Sequence, residues 1–208
     1  FELTNDQLKV LKEINSDLKG NKRMFRIMQG DVGSGKTIVS MLSLANVIES
    51  NYQCALMGPT EILAYQHFKL ALKIFNNNHF KIEFLSGKTE TRKRKEILRK
   101  LKEGKIDLLI GTHALFQKKI EFKKLGYVVI DEQHKFGVKQ RSDFAKKGGI
   151  NCDVLLMSAT PIPRTMMMSH YGDMDVSKIT EKPSARKKIT TSSKPEKKIN
   201  ELWNFLTK

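Results

Sequence analysis

Residues 30 to 37 read GDVGSGKT, the spacing G-x-x-x-x-G-K-[ST]. Gly30, Gly33 and Gly35 let a backbone turn tightly and aim its N–H groups inward at an anion, with Ser34 in the same loop. Lys36 can reach the β and γ phosphates of a nucleotide, and the Thr37 hydroxyl can ligate Mg²⁺. A second stretch, VVIDEQHKFG (128 to 137), ends an apolar run in two adjacent carboxylates. Asp131 at a strand end is placed to hold the water shell of the Mg²⁺, and Glu132 to orient or deprotonate an attacking water. Either acid alone would be an ordinary strand-end cap. Beside Lys36 and Thr37 they make a phosphate-transfer site.

Such a site needs a scaffold that brings strand ends to one edge. The motif requires a strand before it and a helix after it, and RMFRIMQ (23 to 29) and residues 36 to about 50 have those patterns. Further short apolar runs are QCALMG, FKIEFL, IDLLIG, YVVID and DVLLMS. Between them lie helical patterns: Thr4 to Gly20, with Leu8, Leu11 and Leu18 inward; a helix capped by Thr60, with Ala64, Phe68, Ala71, Leu72 and Phe75 inward; and residues 89 to 103, with Ile97, Leu98 and Leu101 inward. Strands of five or six residues alternating with helices predict an α/β fold, a mostly parallel sheet with helices on both faces.

Composition narrows the setting. The chain has 208 residues, is 39% hydrophobic and 29% charged, and carries a formal net charge of +16. Residues 61 to 150 hold 21 Lys+Arg against 10 Asp+Glu, so the excess sits mid-chain. A polyanionic partner fits that distribution, and so does a solvated lysine-rich surface. No apolar run approaches the roughly 20 residues of a membrane span, and FELTNDQ has no signal-peptide pattern. Cys54 and Cys152 each lie inside an apolar run and read as small buried hydrophobes in a reducing, cytoplasmic compartment.

The ordered set FELTNDQ, GDVGSGKT, GPTEILAYQH, GTHAL, DEQHKFGVKQR and SATPIPRT resembles superfamily 2 helicases, and within them the bacterial RecG branched-DNA translocases. The Mfd repair translocases share PIPRT but typically read DEEH where this chain has DEQH. The resemblance implies a RecA-like motor domain that uses ATP and Mg²⁺, acts as a monomer, and meets forked or branched DNA through phosphate contacts. It implies an adenine-reading role for Gln7, for which a capping box with Thr4 is the competing account. It makes Ser158, Ala159 and Thr160 the coupling motif, and has His134 link the nucleotide site to them, where a lone histidine would otherwise be packing. Thr60 and Thr112 would contact DNA phosphates, although both are also natural helix caps. TRKRKEILRKLK (91 to 102) has seven basic residues and one acid, a pattern more often a solvated face than a DNA groove.

The domain organisation expected from this pattern is a motor domain over residues 1 to 180, a linker at 181 to 188 (EKPSARKK, without the Pro-Pro-Gly-Arg of the family), and the first strand and helix of a second RecA-like domain at 189 to 208. The wedge domain, the rest of the second motor domain and its arginine finger would lie elsewhere in a longer protein. With Arg164 on the coupling side of the same domain, the chain alone is expected to bind ATP and turn it over slowly.

Overall fold

The computed structural model describes residues 2–117, 119–131, 152–160, 174–181, 193 and 195–206. Seven strands form one sheet: β1 Phe25–Gly30, β2 Gln53–Met57, β3 Ile82–Leu85, β4 Leu108–Gly111, β5 Leu125–Asp131, β6 Asp153–Ser158 and β7 Asp175–Ile179. Their spatial order is β3-β4-β2-β5-β6-β1-β7, and each neighbouring pair is parallel. Among the described residues the helices are α1 Asn5–Leu18, α2 Lys36–Glu49, α3 Glu61–Ile74, α4 Thr91–Glu103 and α5 Ile199–Leu206.

Handedness sorts the helices between the faces. The chain moves one way across the sheet from β1 to β2 to β3, through α2 and α3, and returns from β3 to β4 to β5 through α4 and a 3₁₀ turn at His113–Phe116. Right-handed crossovers in opposite directions must cover opposite faces. Val10, Ile14, Met41, Leu44 and Ala71 accordingly pack with Cys54, Leu56, Tyr127 and Val129. On the other face Ile97 and Leu101 pack with Ala55, Met57, Val128 and Ile130. Adjacent residues of one strand thus feed two cores, as the period of two requires.

The strands predicted up to residue 158 and the helices form with shifted ends, and two inward faces need correction; the strand expected at the start of residues 189 to 208 lies largely outside the described residues. On α1 the buried positions are Gln7, Val10 and Ile14, with Leu11 and Leu18 partly buried; Leu8 is 42% exposed. On α3 they are Ala64, His67 and Ala71, while Leu72 is 46% exposed. Both leucines lie one position outside the arc that faces the sheet. β7 has no counterpart among the predicted strands. Its sequence DVSKI has only two apolar residues and lies at a sheet edge, with Val176 half-buried and polar Ser177 buried, so its apolar signal is thin. Buried Arg26 on β1 ties this edge together: its guanidinium pairs with Asp17 at 2.7 Å and donates to Ser177 Oγ at 2.8 Å. The helix expected near the C-terminus is α5, preceded by a 3₁₀ turn, and its Leu202, Trp203 and Phe205 are exposed.

Candidate nucleotide-binding site

β1 ends at Gly30, and α2 begins at Lys36. Between them Gly33 and Gly35 adopt φ values of 80° and 89°, a left-handed conformation that costs other residues ~1–2 kcal/mol. Gly35 caps α2 with no side chain, and its carbonyl takes the N–H groups of Ile38 and Val39, so the positive end of the helix faces the loop. Lys36 Nζ donates to the carbonyls of Gly30 at 2.5 Å and Asp31 at 3.0 Å, which folds the cation back over the loop.

Gln7 clamps this loop from outside. Its Nε2 donates to Ser34 O at 2.8 Å, and its Oε1 accepts from Thr4 N at 3.0 Å. Thr4 Oγ1 completes the capping box by accepting from Gln7 N. The capping account therefore describes the geometry, with a loop contact added. A Cβ on Gly35 would stand 2.2 Å from Gln7 Nε2, and one on Gly30 would stand 2.5 Å from Ser34 Oγ. That Ser34 hydroxyl is buried without a hydrogen-bond partner among the described residues. A loop with an orphaned hydroxyl, a cation and an open helix N-terminus fits the phosphates of a nucleotide.

Asp131 closes β5, two strands from β1, hence about 10 Å across the sheet. It lies level with Met157 of β6, which lies level with Met28 of β1, so the acid and the P-loop share the carboxyl edge. Its Oδ2 is 2.8 Å from His67 Nε2 on α3. His67 lies within the quoted GPTEILAYQH stretch, but the sequence did not point to this contact. Its only sequence signal is an imidazole on the buried face of α3, between Ala64 and Ala71.

Ser158, the last residue of β6, is fully buried, and its Oγ accepts from Thr160 N at 3.2 Å. It also lies 3.1 Å from Thr160 Oγ1, so a serine-centred turn shapes residues 158 to 160 around half-buried Ala159. Thr60 is exposed and caps α3, its Oγ1 accepting from Leu63 N at 3.3 Å. Thr112 differs: it is 4% exposed and precedes a four-residue 3₁₀ turn without a side-chain cap. Three of the seven basic residues on α4 pair with carboxylates, Lys100–Glu96, Arg99–Glu103 and Lys102–Glu121, at 2.7 to 2.9 Å, as on a solvated face. Glu132, Gln133, His134, Arg164 and residues 182 to 188 lie outside the described residues.

A cleft of about 560 Å³ opens at the amino ends of β5 and β6, among Asn15, Asn46, Tyr52 and Asp153. None of the predicted site residues lines it, and parallel sheets bind ligands at the carboxyl edge. Both cysteines are unpaired and buried, and burial pushes the Cys152 thiol up to about 12, which keeps it inert.

Residues 4–169 match the model of the DEAD/DEAH box helicases. The chain belongs to the DEAD/DEAH box helicase family. Among curated relatives it is 45% identical over 99% of its length to the ATP-dependent DNA helicase RecG of Thermotoga maritima, and 47% identical over its full length to that of Bacillus subtilis. It spans 26% and 30% of those two proteins, about a quarter to a third of their length. A solved structure of RecG bound to a three-way DNA junction aligns with 99% of the chain and 27% of that protein, at TM-score 0.86 and 42% identity. The DEAD-box helicase Mss116, 20% identical at TM-score 0.64 over 86% of the chain, shares the fold. This family member is therefore a RecA-like parallel α/β domain. Among the described residues no helix is long and apolar enough to cross a membrane.

Proposed function

We propose that this chain is the ATP-binding motor domain of a RecG-type helicase that acts on branched DNA in recombination and repair, in the cytoplasm. The observation that carries the reading is the Gly33–Lys36 loop and Asp131 on one sheet edge, in a chain 45–47% identical to two RecG proteins. Residues 1 to 180 would form the first motor domain, 181 to 188 the linker and 189 to 208 the start of a second RecA-like domain. The low share of the relatives' length that the chain covers supports further domains in the working protein.

Lys36 and the loop N–H groups would hold the β and γ phosphates, with Ser34 Oγ within the same cradle. Thr37 and Asp131 would hold Mg²⁺, which when bound draws charge from the phosphate oxygens. Glu132, next along the chain, would accept the proton of the attacking water, and His134 would relay to Ser158–Thr160. Gln7, already fixed on the loop, would present its remaining N–H near the adenine. Thr60 would meet a DNA phosphate at the N-terminus of α3, with Thr112 behind it. Phosphate contacts alone carry no base preference, so DNA affinity would fall steeply with salt.

Titration calorimetry of the 208-residue chain with Mg²⁺-ATP tests the reading. Lys36→Ala should lose most of the affinity. Equal affinity in the two proteins would refute the nucleotide site.

A further inference from the structure

The His67–Asp131 contact has no part in the roles above. The two side chains are 10% and 13% exposed and lie 2.8 Å apart, and since a carboxylate only accepts, the ring tautomer that bonds to it is the one with the proton on Nε2. His67 lies on α3 seven residues after Thr60, two helical turns or about 10 Å along the axis. A carboxylate at a strand end turns freely about its last bond unless one oxygen is held. Here Oδ2 is held, which fixes the direction in which Oδ1 presents its lone pairs. Groups that steady a metal-ligating carboxylate in this way change metal affinity without touching the metal.

We infer that His67 is a positioning residue for Asp131: its Nε2–H pins Oδ2 so that Oδ1 is left aimed for the metal, and it makes α3, the helix capped by Thr60, a physical part of the metal site. The inference rests on the reading of Asp131 as the metal-side acid, and the experiment separates the two. It also explains why a histidine occupies a helix face otherwise buried through Ala64 and Ala71.

The test uses the 208-residue chain, Mn²⁺ as a paramagnetic probe and a non-hydrolysable ATP analogue. Analogue affinity in chelator reports the pocket alone, and Mn²⁺ titration followed by electron paramagnetic resonance reports the metal. His67→Ala should weaken Mn²⁺ by on the order of 10- to 100-fold, with chelator affinity unchanged. His67→Gln, whose amide offers an N–H in a similar place, should recover most of that loss. In Asp131→Asn, adding His67→Ala should cost no further Mn²⁺ affinity, because no carboxylate oxygen is left for His67 to aim at the metal. Should His67→Ala fail to fold, His67→Leu against His67→Gln decides: weaker Mn²⁺ for leucine supports the inference, and equal affinity overturns it. Normal Mn²⁺ affinity in His67→Ala, with weakened affinity in Asp131→Asn, overturns the role of His67 alone. Unchanged affinity in Asp131→Asn refutes the assignment of Asp131 and the inference with it.

Discussion

Two strand ends reach the same edge of the sheet and are held by different means. After β1 the backbone sets the shape: Gly33 and Gly35 turn left-handed, carbonyls hold Lys36, and the Gln7 amide closes on Ser34 O. After β5 a side chain holds a side chain, Asp131 on His67, across 64 residues of sequence. The loop side, proposed to hold phosphate, is thus specified almost wholly within eight consecutive residues, and the acid side depends on α3 being docked. Damage to the first should spread through the loop and α1, whereas damage to the second should remain local.

The sharpest test of that contrast is Gly35→Ala. The new Cβ meets both a φ of 89° and the Gln7 amide at 2.2 Å. Left-handed strain and overpacking together should cost about 2–4 kcal/mol, read as a lower urea midpoint, and nucleotide affinity should fall with it. A midpoint equal to that of the unsubstituted chain would break the backbone account. Gln7→Ala should come next. It removes half of the capping box and the bond to Ser34 O, and should cost about 1–2 kcal/mol while moderately weakening nucleotide binding. If binding fell without any loss of stability, an adenine-reading role would outweigh the clamp. Asp131→Asn should be smallest in stability, below about 1 kcal/mol, since an amide oxygen can still accept from His67. Its effect should appear in metal dependence: nucleotide affinity that no longer responds to added Mg²⁺. A large drop in thermal midpoint would instead show that the acid end is as structural as the loop.

What was readable in advance follows the same divide. GDVGSGKT was legible because its glycines answer backbone demands that only neighbouring residues impose. The face of α4 built on Ile97 and Leu101 was legible because its apolar residues stand out from a run of charge. The faces of α1 and α3 were harder: each offers more apolar residues than it can bury, and the docking angle decides that Leu8 and Leu72 stay out. β7 was missed because Asp175, Ser177 and Lys178 mask an edge strand whose partner, β1, lies about 150 residues earlier. Gln7 carried two meanings in the sequence, and the contact with Ser34 O adds a third that requires α1 to lie against the loop.

By itself the sequence determined the glycine loop between strand and helix, the strand-end acid, the alternation of strand and helix and the kinship with helicases, because each is written in local spacing or in the order of motifs. Only the tertiary structure decided that β6 separates the P-loop strand from the acid strand, that Arg26 is buried among α1 and β7, and that His67 meets Asp131. Those pairings join residues far apart in the chain. They form only when right-handed crossovers have set the strand order and burial has fixed which face of each helix turns inward.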